Sequence, residues 1–98
     1  MRLEFFEEAR FEMREAALFY ESRQKGLGRR FRDEIAYVSR SITRHPLLWR
    51  ERPGGYRRVN CPIFPCYIAY IIDRETIFVA AVAHGHREPE YWKHRLKE

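Results

Sequence analysis

A chain of 98 residues sits near the usual single-domain size, so one domain over residues 1–98 is expected and a two-domain enzyme is excluded. With 45% hydrophobic and 15% aromatic residues it has the composition of a globule, and no apolar run approaches the roughly 20 residues of a membrane helix. Lys and Arg number 19 against 14 Asp and Glu, a net charge of +5 that favours anionic partners, and all but three of the cations are Arg, whose planar fork suits carboxylate or phosphate.

Met1-Arg2-Leu3-Glu4 meets a carboxylate before an apolar signal segment can form, which points to a cytoplasmic protein. Leu3-Glu4-Phe5-Phe6 reads as a short strand. Ala9, Met13, Ala16, Ala17 and Tyr20 then recur at helical spacing, predicting a helix over residues 8–24. Gly26 can take the left-handed conformation that closes this helix and opens a second one at a sharp angle. Leu27, Phe31, Ile35, Val38 and Ile42 form the apolar face of that second helix over 27–44, and Pro46 disfavours helical geometry at His45 and stops it. Its outer face carries Arg29, Arg30, Asp33 and Arg40.

Pro53-Gly54-Gly55 marks a turn, Tyr56 to Val59 a short strand, and Pro62 and Pro65 another break. Tyr67 to Ile72 and Ile77 to Ala83 are continuously apolar around the polar turn Asp73-Arg74-Glu75-Thr76, as adjacent antiparallel strands with little exposure on either face would be. Glu88-Pro89-Glu90 opens a short helix ending near Leu96, with Pro89 in its first turn. The expected fold is α+β: an N-terminal strand, an antiparallel helical hairpin packed on a mainly antiparallel sheet, and a short C-terminal helix.

Three groups of residues could carry chemistry. Arg44, Arg50, Arg52, Arg57 and Arg58, opposed only by Glu51, are either a clamp for phosphates or an acidic peptide, or a charged strand edge; Arg57 and Arg58 must point to opposite faces. His84 and His86 fall on one side if the strand continues, and with Arg87 they could move a proton and neutralise a phosphate, or simply cap the strand end. Tyr91-Trp92-Lys93-His94-Arg95 could stack on bases or dock its aromatics on its own domain, core packing being the commoner fate of Trp92. Cys61 and Cys66 have no second pair to complete a zinc site and read as packing residues in a reducing compartment; neither metal nor cofactor is expected. No phosphate-binding glycine loop and no nucleophile elbow occurs.

Taken together, Ala17-x-x-Tyr20, Gly26-Leu27-Gly28-x-x-Phe31, Pro46, Arg57-Arg58, Phe64-Pro65-x-x-Ile68-x-Tyr70, Ala81-Val82-x-His84-x-x-Arg87-x-Pro89 and Tyr91-Trp92-x-x-Arg95 resemble the ParE branch of the RelE/ParE toxin family, from about residue 4 to residue 96. The resemblance implies the toxin of a type II toxin–antitoxin pair, a plasmid-stabilisation type of protein, neutralised by a ParD-like antitoxin whose C-terminal segment wraps it. It implies DNA gyrase as the target, inhibited by binding, with no small-molecule substrate. Arg87, Tyr91, Trp92 and Arg95 would then meet the target, and Arg30, Arg57 and Arg58 the antitoxin. RelE-type relatives instead cleave ribosome-bound mRNA, a role for which Arg58, His84, His86 and Arg87 are the available groups. In that branch an Arg stands two or three residues before a conserved Tyr of the third strand; here Tyr67 precedes Tyr70. Cys66 also departs from the ParE pattern, where Tyr commonly follows Phe-Pro. A third reading, of another class, is a small basic nucleic-acid-binding module.

Overall fold

The computed structural model describes residues 1–97; Glu98, the last residue of the expected domain, lies outside them. The elements run β1 (Arg2–Phe5), α1 (Glu7–Arg23), α2 (Leu27–Arg44), β2 (Arg57–Asn60), β3 (Cys66–Asp73), β4 (Thr76–His84) and a single 3-10 turn, Lys93–Leu96. The architecture is α+β, with one four-stranded sheet in the order β1-β4-β3-β2. Its β2-β3-β4 part is antiparallel, while β1 pairs with β4 in parallel, Leu3 against Ile77 and Phe5 against Val79.

The helical hairpin follows from the spacing of its apolar residues. Glu7 and Glu8 occupy the first turn of α1 and Arg23 the last, each charge matched to the local end of the helix dipole. Gly26 takes the left-handed conformation, φ 87°, at the reversal. Having no side chain, it cannot cap α2, and Glu21 reaches across from α1 instead: its carboxylate accepts the Gly26 N–H at 2.9 Å and the Gly28 N–H at 3.0 Å. These bonds hold the Glu21 carboxyl below its ordinary range. The two helices pack against each other at Gly28, where a Cβ would lie 2.5 Å from the Ala17 carbonyl oxygen.

Both faces of the sheet are covered, which is why β3 and β4 are apolar at nearly every position. On one face Phe31, Ile35, Val38 and Ile42 of α2, with Ala9 and Ala17 of α1, bury Ile68, Tyr70, Ile77, Val79 and Val82. On the other face Tyr56 and Trp92 close over Tyr67, Ala69, Ala81 and Ala83. The alanines leave room for the Trp92 indole, which stands edge-on to Tyr56 at 4.7 Å and donates its N–H to the Tyr67 hydroxyl at 2.9 Å.

Two local expectations are revised. Tyr56 precedes β2 rather than opening it, closing the Pro53-Gly54-Gly55 turn through a bridge to Arg52. The C-terminal helix does not start at Pro89, because Glu90 takes positive φ, 60°, and a helix cannot run through it. The Glu90 carboxylate instead accepts the Tyr56 hydroxyl, tying this corner down.

Candidate functional site

The candidate site lies where β1 runs out. β1 accompanies β4 only as far as Val79, and a register shift there leaves Ala80 as a bulge before Ala81 resumes pairing with Ala69. Beyond that point the outer edge of β4 is served by side chains instead of a strand. Glu12 of α1 accepts the Val82 N–H at 3.1 Å, and Arg95 of the C-terminal turn donates to the Ala80 carbonyl at 3.0 Å.

Glu12 is the hub. Its carboxylate also accepts both terminal nitrogens of Arg95, at 3.1 and 2.9 Å, and the Tyr91 hydroxyl at 2.6 Å. The Glu12 and Arg95 side chains are only 13% and 10% exposed, so this is a nearly desolvated, bidentate pair. Burial opposes the Arg95 charge, but the Glu12 carboxylate outweighs it and holds the guanidinium charged. Burial, then the bond to Glu12, pushes the Tyr91 hydroxyl well above its ordinary range, so it serves as a hydrogen-bond donor at neutral pH and not as a base.

Tyr91 in turn supports Arg87, whose guanidinium lies over its ring at 3.8 Å. Arg87 is exposed, and with Glu12, Glu15, Tyr20, Val82, His84 and Tyr91 it borders a cleft of about 200 Å³ floored by Phe31 and Cys66. The ring of His84, at the cleft, sits 5.0 Å from that of His86, and the His86 backbone N–H donates to His84 Nδ1 at 3.3 Å. The strand ends at His84, so this pairing comes from the turn after it and not from strand alternation. Arg87 is thus a cation set on an aromatic platform at the rim of an apolar cleft, able to take a carboxylate or phosphate from a macromolecular partner.

Of the four residues expected at the target, Arg87 alone is exposed. Tyr91 is half-buried, Trp92 is fully buried in the far-face core, and Arg95 is engaged with Glu12 and Ala80. The last two fix the segment that carries Arg87. Among the antitoxin candidates, Arg57 turns to the helix-side face and donates to the Trp49 carbonyl at 2.6 Å, with Glu51 at 3.8 Å, so it clasps the 46–51 segment. Arg58 turns to the opposite face and stacks on Tyr67 at 3.7 Å. Arg30 is exposed beside a groove bordered by Tyr37 and Ile63. The ribonuclease set does not assemble: Arg58 lies on the Tyr67 face of the sheet, whereas His84 lines the cleft on the α1 side. Among the described residues no three His, Cys, Asp or Glu side chains are grouped to hold a metal.

Sequence reasoning passed over Glu12. Its signal is positional: it falls three residues after Ala9 and four before Ala16, on the buried stripe of α1, where a carboxylate needs a partner.

With this geometry in place, comparison with known proteins gives two findings. The family model described as the ParE toxin of type II toxin-antitoxin system, parDE, matches residues 3–89. A solved structure, the chromosomal ParDE TA system from P. aeruginosa, shares the fold with a TM-score of 0.71 at 12% identity, covering 86% of this chain and 95% of that one. No curated protein matches the sequence.

Proposed function

Because the chain belongs to the ParE toxin family of type II toxin–antitoxin systems, we propose that it acts in the cytoplasm by binding and inhibiting DNA gyrase, and that a ParD-like antitoxin neutralises it. The observation that favours binding over RNA cleavage is the separation of Arg58 and His84 onto opposite faces of the sheet. Cleavage by a 2′-hydroxyl needs a base, an acid and cations converging on one phosphate. In the binding reading Arg87 makes the contact, Tyr91 supports it, and Trp92 and Arg95 hold the segment in place.

The antitoxin is proposed to lay an acidic, amphipathic segment along the hairpin, where Phe11, Leu18 and Phe19 of α1 are more than half exposed. Arg30 would pair with its carboxylates along the hairpin and Arg58 where the segment continues over the β2 edge of the sheet, while Arg57 keeps its internal role. The test is to induce the protein in cells and follow gyrase-linked DNA breaks beside ribosome-bound mRNA integrity, with and without co-expression of a neighbouring antitoxin gene. DNA breaks lost in Arg87→Ala, with mRNA intact, are expected. Prompt mRNA cleavage abolished by His84→Ala, with supercoiling untouched, would replace the gyrase reading with the ribonuclease one. Steeply salt-dependent binding to DNA or RNA by the chain alone, without toxicity, would favour a nucleic-acid-binding module.

A further inference from the structure

Cys61 and Cys66 stand at the mouth of the β2–β3 connection. Their backbones continue the antiparallel register one pair beyond Asn60 and Tyr67, with the Cys61 N–H donating to the Cys66 carbonyl at 3.0 Å. The Cys66 N–H turns instead to the Phe64 carbonyl at 2.8 Å, so one of the two bonds of a full pair is made; facing residues of an antiparallel pair have Cα atoms about 4.5–5.5 Å apart, inside the roughly 4.4–6.8 Å that a disulfide spans. The side chains point at each other, with Sγ atoms 2.9 Å apart and both thiols free.

The approach is imposed by the surroundings. Pro62 and Pro65 stiffen the four-residue connection, and the Glu34 carboxylate of α2 accepts the N–H groups of both Ile63 and Phe64 at 2.9 Å. Phe64 is packed between Tyr20 and Phe31, with ring centres 4.8 and 5.3 Å away. Every anchor of the loop is therefore in place while the sulfurs are still reduced. The two thiols also differ: Cys61 is partly exposed, whereas Cys66 is buried, lines the candidate cleft and donates its S–H to Cys61.

We propose that Cys61 and Cys66 form a reversible dithiol–disulfide site, oxidised by low-molecular-weight disulfides, with Cys61 as the attacking sulfur and Cys66 as the resolving one. The Cys61 thiolate attacks one sulfur of R–S–S–R, breaking that bond and releasing R–S⁻. Cys66 then gives up its proton, attacks the Cys61 sulfur of the mixed disulfide and expels the second R–S⁻. Two electrons pass from the cysteine pair to the small disulfide, and the two protons end on the two released thiols. The bond to Cys61, then burial, keeps the Cys66 thiol protonated in the resting state, which fits the order of attack. The inference is independent of the gyrase reading.

The test uses the purified full chain equilibrated with oxidised and reduced glutathione, read by intact mass and by labelling of free thiols. The wild type is expected to lose two hydrogens, take no thiol label, retain no glutathione and return to the dithiol with dithiothreitol. Cys66→Ser should stop with one glutathione on residue 61, and Cys61→Ser should react about tenfold more slowly, since its remaining thiol is buried. A measurement that needs no variant compares wild type in buffer with wild type in denaturant; the folded chain should hold a disulfide-to-dithiol ratio about tenfold higher, because the fold keeps the sulfurs together. Thiols that both stay labelled, a glutathione adduct that persists on the wild type, or equal ratios in the folded and unfolded chain would overturn the proposal.

Discussion

Replacing Glu12 by Ala removes an acceptor that serves Arg95, Tyr91 and the Val82 N–H together. Deleting one partner of a buried ion pair costs roughly 3–5 kcal/mol, because the surviving charge stays desolvated. Here each side chain keeps about a tenth of its exposure, so water can reach Arg95 and the lower end, about 3 kcal/mol, applies. Arg95 keeps its bond to the Ala80 carbonyl, and its Nε already lacks a partner among the described residues. The unpaired Val82 N–H adds about 1 kcal/mol. A loss of about 3–4 kcal/mol is a large part of the roughly 5–15 kcal/mol that holds a domain together, and it lowers Tm by roughly 12–32 °C. Urea unfolding followed by circular dichroism should show the midpoint fall at unchanged slope. Arg95→Met should cost a similar amount, and the double variant less than the sum by about 2 kcal/mol. A Glu12→Ala protein within about 1 kcal/mol of wild type would mean that the pair behaves as an exposed one, and the reasoning about this edge would fail.

Gly28→Ala should lower stability by about 1–3 kcal/mol, because its Cβ would strike the Ala17 carbonyl and push the helices apart, whereas Gly26→Ala meets no neighbour and should cost only the left-handed strain of about 1–2 kcal/mol; thermal melts of the two variants separate these mechanisms. Trp92→Ala should cost about 3–5 kcal/mol, read in the same way, since it empties the far-face core; a melt unchanged from wild type would contradict the burial. Burial holds the hydroxyls of Tyr20, Tyr56, Tyr70 and Tyr91 protonated above the ordinary value of 10.0, Tyr70 up to about 12. The unfolded chain therefore sheds these protons first, so stability is full below about pH 10 and falls as pH rises through the folded values, a decline visible as a falling Tm between about pH 10 and pH 12. Tyr91→Phe should make that decline shallower.

The hairpin was legible because two apolar stripes at helical spacing meet at a glycine and stop at Pro46, and each of those signals is local. β3 and β4 were legible as central strands because both faces are apolar. The pairing of β1 with β4 was not, since four residues carry no mark of a partner more than seventy positions away. The site was harder to read than the fold, and the Ala80 bulge is one reason. Before it Ile77 and Val79 face the helices; after it Val82 does, so His84 falls on the α1 side, whereas strict alternation from Ile77 puts it on the face of Arg58. Arg95 and Trp92 have composition suited to contact with a partner, and only burial reveals them as internal supports. Glu12 escaped notice because a single carboxylate among charged neighbours on α1 looks like one more solvated residue until its four donors arrive from distant parts of the chain.

The parallel contact between residues 2–5 and 76–79 also bears on when the protein becomes itself during synthesis. The hairpin α1–α2 needs only its own neighbours and can start to form early. β1 has no strand to join until β4 exists, and at roughly 5–20 residues per second a ribosome takes about 4–16 s to travel from the first strand to the fourth. Arg95, which seals the same edge, is made later still. The candidate site is therefore the last region to be completed, and a chain cut short between α2 and β4 carries the hairpin but neither the cleft nor the Arg87 platform.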